Sequence, residues 1–233
     1  MFSSASELWK GFVNLFYPNL CFCCTTDLKY GEQYICGHCL YDLPVTGFYR
    51  ERGNPVEQMF WGRVLVEYAT ANYFYKKGNR IQTLIHQVKY HGQKEIGEFL
   101  GREMGKNLRA SAFAEVDMVV PVPLHPEKFR KRGYNQSEWI AAGVCKEIDK
   151  PLDTRTLVRR HAADSQTRRK RYERWENVMA GFGLTVPDAL SGKHVLLIDD
   201  VITTGATLEA CIHALQYTAD TKVSVATLAI ASS

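Results

Sequence analysis

Val195-Leu-Leu-Ile-Asp-Asp-Val-Ile-Thr-Thr-Gly-Ala-Thr207 decides the fold. Its four leading apolar residues have the continuity of a strand buried on both faces, as in parallel sheets covered by helices. Asp199 and Asp200 close that run. Open α/β sheets bind ligands beyond the carboxyl ends of their strands, so two carboxylates stand where a ligand would sit. Thr203 to Thr207 then make a small, hydroxyl-bearing turn opening a helix whose apolar face is Leu208, Cys211, Ile212 and Leu215. Free N–H groups and the positive end of a helix make such a turn a cradle for phosphate, with Gly205 allowing close backbone approach. Carboxylates meet sugar hydroxyls and amides meet phosphate. A solvated strand end or an ordinary helix cap would explain either half alone, but not the joined thirteen residues. No G-x-x-x-x-G-K-[ST] run occurs, which counts against a P-loop NTPase.

Strands and helices alternate around this stretch. Arg63 to Tyr75 has the β-branched and aromatic pattern of a strand, closed by the turn Lys76-Lys-Gly-Asn79. Ile81, Leu84, Ile85 and Val88 then recur at helical spacing, and Ile96, Phe99, Leu100, Met104 and Leu108 form a second stripe. Met118-Val-Val120 is a short buried strand ending at Pro121. Asn135 and Glu138 have the spacing of a helix cap, with Glu reaching back, ahead of Ile140, Val144 and Ile148. Leu157-Val158 is a candidate strand, His194 to Asp199 a firm one, and Val223 to Ile230 supplies the last. The expectation is an α/β fold with a mainly parallel sheet and helices on both faces. Cys145 and Cys211 fall on its helices as inert core thiols.

The first fifty residues read differently. Cys21-Phe-Cys-Cys24 and Cys36-Gly-His-Cys39 are two C-x-x-C knuckles, each able to aim two thiolates at one point. Four sulfurs at about 2.3 Å close a tetrahedral structural zinc site. Disulfide or redox use is the competing reading, and a reducing cytoplasm favours metal. Cys23 and His38 are spare candidates that could replace a neighbour as ligand. The loop from Thr25 to Ile35, turning at Gly31, is too small to hold a core without metal. Upstream, Leu8, Trp9, Phe12, Val13, Leu15 and Phe16 fit a short apolar helix face that packs on the rest of the chain. Organisation is thus read as residues 1–55, a helix and a four-cysteine zinc module, followed by residues 56–233.

With 233 residues, 29 Lys+Arg against 25 Asp+Glu and 45% hydrophobic residues, the chain has the composition of a packed globular protein and is not a polycation. The uncharged run from Gly11 to Thr26 is broken by Pro18 and falls short of the roughly 20 residues of a membrane span. No membrane span and no signal peptide are read, so a cytoplasmic location is expected. Charge is uneven: between His125 and Trp175 there are 14 Lys/Arg and 7 Asp/Glu. Lys128, Arg130, Lys131 and Arg132 make one group; Arg159, Arg160, Arg168, Arg169, Lys170, Arg171 and Arg174 make another. A clamp for a small anion, a track for single-stranded DNA with Tyr134, Trp139, Tyr172 and Trp175 as stacking surfaces, and a solvated surface all fit. His86, His91 and His125 are as well explained by structural hydrogen bonds as by acid–base work.

The quoted stretch resembles the phosphoribosyl-pyrophosphate (PRPP) signature of type I phosphoribosyltransferases without a gap. The Cys pairs, Lys89-Tyr-His-Gly92, Val120-Pro-Val-Pro-Leu-His125, Arg132-Gly-Tyr-Asn-Gln136, Gln166, Arg171 and Asn177 before Phe182 occur in the order of the competence protein F (ComF) family. That resemblance implies a small zinc module fused to a phosphoribosyltransferase-like domain, associated with DNA uptake in natural competence. It names no acceptor base. Asp199 and Asp200 would hold the ribose 2- and 3-hydroxyls of PRPP. Val201, Ile202, Thr203, Thr204, Gly205, Ala206 and Thr207 would wrap its 5-phosphate. Pro121 to Gln136 matches the pyrophosphate loop, with Arg132 as the pyrophosphate contact and Mg2+ bridging pyrophosphate and ribose. The basic stretch with Gln166, Arg171 and Asn177 matches a loop closing over PRPP. Reaction at C1 through an oxocarbenium-like state would need placed charge more than a protein nucleophile. The alternative is an adaptor for single-stranded DNA or competence proteins that keeps the fold without the chemistry.

Overall fold

The strand His194–Ile202 does not stop at Asp199 as expected but runs on through Asp200 and two residues further. The computed structural model describes residues 19–159, 181–216 and 221–231. In chain order the main elements are β1 (Ala69–Tyr75), α1 (Arg80–Tyr90), α2 (Lys94–Arg109), β2 (Met118–Pro121), α3 (Pro126–Arg132), α4 (Gln136–Ile148), β3 (Leu157–Arg159), β4 (Phe182–Leu184), β5 (His194–Ile202), α5 (Ala206–Gln216) and β6 (Lys222–Ala231). Four of the strands form one sheet in the order β1-β6-β5-β2, with every pairing parallel. β3 and β4 pair antiparallel as a separate hairpin.

The unbroken apolar run of β5 follows from burial on both sides. Leu196 and Ile198 join one apolar cluster with Ile85 of α1, Leu100 of α2 and Ile140 of α4. Val195 and Leu197 join the other with Leu208, Ile212 and Leu215 of α5. Side chains alternate across a strand, so consecutive apolar residues are required where both faces are covered. Each of the large aliphatics is worth about 1.5–3 kcal/mol when fully buried. The sheet's two outer edges are also covered. Val45 bridges Tyr73 of β1, with Thr46 N–H donating to the Asn72 carbonyl at 3.0 Å. Leu152 bridges Val119 of β2, and Val119 N–H donates to the Pro151 carbonyl at 2.9 Å. Such cover removes the open hydrogen-bonding edges that template aggregation.

Three further expectations change. The strand expected from Arg63 begins only at Ala69, because the chain turns at Phe60–Val64 and Gly62 holds φ 72°. Val64 and Val66 are partly buried from that loop while Leu65 is exposed, which mimics strand alternation. The basic residues before Gly133 lie on a helix, α3, instead of a bare loop. Pro126 occupies its first turn, and Gly133 in the left-handed region at φ 82° ends it. Asn135 does cap α4, accepting from Ser137 N–H, but Glu138 meets the Asn135 side-chain amide at 3.4 Å and not its backbone.

Two of the three helices that cover one face, α2 and α4, approach backbone to backbone. Gly97, Gly101 and Gly105 lie along α2, and Gly143 faces them from α4. A Cβ on Gly101 would lie 2.1 Å from the Ile140 carbonyl oxygen, and one on Gly143 would lie 2.1 Å from that of Glu98. The apolar segment from Leu8 to Phe16 and the basic residues 160–174, with Gln166, Arg171 and Asn177, lie outside the described residues. No described helix is long and apolar enough to cross a membrane.

Candidate functional site

A cavity of about 630 Å³ opens at the carboxyl ends of β5 and β2. Asp199, Asp200, Val201 and Thr207 form its floor. Lys89 and Tyr90 enter from the end of α1, Val122 to His125 from the segment after β2, Lys128, Lys131 and Arg132 from α3, and Arg159 from β3. A smaller recess of about 50 Å³ lies within the turn itself, bounded by Asp199 and Val201 to Leu208. The structure thus gathers both aspartates, the whole expected phosphate turn and Arg132 around adjoining spaces.

The two aspartates are not equivalent. Asp199 accepts from the Ser137 hydroxyl at 2.9 Å and from the Asp200 backbone N–H at 2.9 Å. Burial and the neighbouring Asp200 carboxylate push its carboxyl up to about 7, against those two hydrogen bonds. Asp200 is 6% exposed. Lys89 Nζ stands 2.9 Å from its Oδ2 in an ion pair whose angles do not make a hydrogen bond, so that buried oxygen retains accepting capacity. A buried carboxylate without a cation would cost several kcal/mol, which makes Lys89 part of the site. Sequence alone does not reveal this role, because the pair spans two elements far apart in the chain.

Gly205 sits in the left-handed region at φ 77°, which a side chain would strain, and the Phe60 ring backs it. Its carbonyl accepts the N–H of Glu209 at 2.9 Å, the first bond of α5, and of the N–H groups before it that of Ala206 donates to the Thr204 hydroxyl at 3.5 Å. Arg132 donates to the Gln136 side-chain oxygen, and its guanidinium lies 5.8 Å from the centre of the Tyr90 ring. His125 caps α3, its Nδ1 accepting from Glu127 N–H at 3.3 Å. His86 stays outside, its ring 4.6 Å from Tyr90 and 5.4 Å from His91.

A family model described as "Phosphoribosyl transferase domain" matches residues 135–232, which include α4, β5, the turn, α5 and β6. The chain is 27% identical over 208 residues to DNA utilization protein YhgH of Escherichia coli, covering 82% of this chain and 88% of that one. It is 26% identical over 206 residues to competence protein F of Haemophilus influenzae, covering 85% of each. The chain thus carries a phosphoribosyltransferase-like domain and is similar along most of its length to proteins named for DNA utilisation and competence. Among solved structures, glutamine PRPP amidotransferase from B. subtilis resembles this chain with a TM-score of 0.44 and 19% identity over 61% of this chain and 30% of that one.

The chain also carries the expected thiolate cluster. The sulfurs of Cys21, Cys24, Cys36 and Cys39 all lie within 4.8 Å of one another. Cys24 and Cys36 Sγ are 3.7 Å apart, close to the ~3.8 Å edge of a tetrahedron with 2.3 Å metal–sulfur bonds. The four sulfurs converge on one point and none is disulfide-bonded. Cys24 is suited to act as thiolate: hydrogen bonds from the Thr26 side chain and backbone bring it down to about 6. Burial pushes Cys39 up, a cost that a bound cation offsets by displacing the proton. Both spare candidates fall outside the group. Cys23 packs toward the Arg80 carbonyl and burial raises it to about 12, while His38 faces Asp42 at 3.5 Å. Cys21 and Cys39 share the first apolar cluster with Ile81 and Leu84 of α1, so the thiolate segment packs directly on the body.

Proposed function

We propose that this protein belongs with the ComF family, binds PRPP with Mg2+ at the end of β5 and serves DNA utilisation or competence, transferring the pentosyl group to an acceptor base. One observation carries the reading: paired carboxylates and a phosphate-cradling turn border adjoining recesses, the larger of which is lined by Lys89, Lys128, Lys131, Arg132 and Arg159. Asp199 and Asp200 accept from the ribose hydroxyls, the turn from Val201 to Thr207 surrounds the 5-phosphate, and Arg132 with the lysines of α3 meets the pyrophosphate. Mg2+ supplies charge neutralisation to the departing pyrophosphate, and the metal fits a site with two carboxylates and a polyphosphate ligand. Titration calorimetry with PRPP tests this directly. Binding strengthened by Mg2+ is expected; no heat with or without the ion removes the reading.

The four thiolates hold one structural zinc per chain in this proposal. Elemental analysis of protein purified without chelator is expected to find it, and the pair Cys36→Ser with Cys39→Ser to lose it. Removing the metal melts the thiolate segment first, since structural zinc binding is coupled to local folding. Unchanged zinc content in the variant refutes the ligand set.

A second reading, association with single-stranded DNA, draws on α3, whose Lys128, Arg130 and Lys131 are exposed beside the cavity. Each phosphate contact to a single strand steepens the log affinity against log salt slope by roughly 0.7. Replacing all three with Gln is expected to flatten that slope by about 2 if they track DNA. An untouched DNA slope with weakened PRPP binding assigns the same cations to the pyrophosphate alone.

A further inference from the structure

Arg63 borders neither the main cavity nor the phosphate recess, yet it touches the turn between them. Its Nη1 donates to the Thr204 carbonyl at 3.1 Å and to the Met59 carbonyl at 3.1 Å. Nη2 binds the carboxylate of Glu209, in the first turn of α5. Arg63 is itself fixed by a turn in which its own N–H donates to the Phe60 carbonyl at 3.0 Å. Phe60 is fully buried, and its ring backs Gly205. One short segment therefore supports the phosphate turn twice, with a ring under Gly205 and a guanidinium on Thr204.

The chemical consequence lies in a single peptide unit. The Thr204 carbonyl and the Gly205 N–H belong to the same planar trans amide and point in opposite directions. Glycine at φ 77° has the freedom to let that amide rotate, which would turn a carbonyl oxygen toward an incoming phosphate. With the oxygen held on Arg63, outside the recess, the N–H is directed inward. Arg63 also sits against the Glu209 carboxylate, which would otherwise oppose a phosphate one helical turn away.

We propose that Arg63 is a positioning residue for phosphate: by holding the Thr204 carbonyl it aims the Gly205 N–H into the recess. The assignment rests on the reading that this recess takes the 5-phosphate of PRPP. It adds a residue remote in sequence, supplied from before β1, to a turn that otherwise looks self-contained.

Ribose-5-phosphate and inorganic pyrophosphate serve as separate probes of the two ends of the site. Arg63→Met is expected to weaken ribose-5-phosphate about tenfold, a loss of one charge-assisted support, and to leave pyrophosphate within about twofold. Conformational exchange at the Gly205 amide, read by 15N relaxation dispersion, is expected to increase in the ligand-free variant, a readout independent of any ligand. Combining Arg63→Met with Glu209→Gln separates holding from charge cancellation: affinity stays low if the carbonyl contact matters. Recovery in the double variant, equal loss of both probes, or unchanged Gly205 exchange each overturns the assignment. If the parent protein binds no ribose-5-phosphate, the PRPP reading fails and the phosphate role falls with it. Parent binding that is unaltered by Arg63→Met sinks the positioning role alone.

Discussion

Gly143→Ala is expected to destabilise the protein by about 3 kcal/mol, at the upper end of ordinary overpacking costs. The added Cβ would lie 2.1 Å from the Glu98 carbonyl oxygen and 2.7 Å from the Arg102 nitrogen. Both are backbone atoms in the middle of α2, so no side chain can rotate away and the helices must part. Alanine gains roughly 1 kcal/mol of helix propensity over glycine, too little to reverse the sign. For a chain of this size about 3 kcal/mol lowers the melting midpoint by about 6–12 °C. Gly97→Ala is the control. Its Cβ would approach the Trp139 Cβ at 3.3 Å, a contact that a small shift relieves. Thermal melts followed by circular dichroism that place the Gly143 variant within a degree or two of the parent would refute the close approach of α2 and α4.

The second large effect belongs to the carboxylates. Asp199→Asn with Asp200→Asn is expected to weaken PRPP about a hundredfold, roughly 2.8 kcal/mol, because two charge-assisted contacts become neutral ones. Asp200→Asn alone accounts for about a tenfold loss or more, and it also deprives Lys89 of its counter-ion. A melting midpoint near the parent's in the double variant, with affinity still lost, places the effect in the site. The pH profile gives an independent check. With its carboxyl held up to about 7, Asp199 loses its charge as pH falls through neutrality, so PRPP affinity declines from about pH 8 to pH 6. The stability contribution has the opposite sense. A carboxyl raised above its unfolded value favours the fold at low pH, and that contribution is lost as pH rises through about 7. A double variant that binds PRPP like its parent means the site lies elsewhere.

The sheet and the two carboxylates are legible in the sequence because their signals are local. Four consecutive apolar residues, two acids and a hydroxyl turn occupy one stretch, and the physics of each is complete within a few residues. The four thiolates are legible for the same reason, since C-x-x-C fixes two ligands by spacing alone. What escapes depends on partners distant in the chain. Gly97, Gly101, Gly105 and Gly143 look like weaknesses inside helices until the facing backbone is known. Lys89 stands in a recognisable motif, but only the fold brings it to Asp200. Arg63 reads as the start of a strand because the side chains after it alternate in burial, and its hydrogen bonds to Thr204 and Glu209 cannot be seen from its neighbours.

The strand order β1-β6-β5-β2 places early sequence at the margins and the latest sequence in the middle. β1 and β2 are synthesised first, yet among the described strands each pairs within the sheet only with one from residues 194–231. During translation the two marginal strands have no central partner until strands from residues 194–231 have left the ribosome. Parallel pairing across such separations forms slowly and leaves apolar surface uncovered meanwhile. Loss of β6 alone would strip β1 of its described neighbour in the sheet and leave only the β5–β2 pair, so a stop before Lys222 should break the four-stranded sheet.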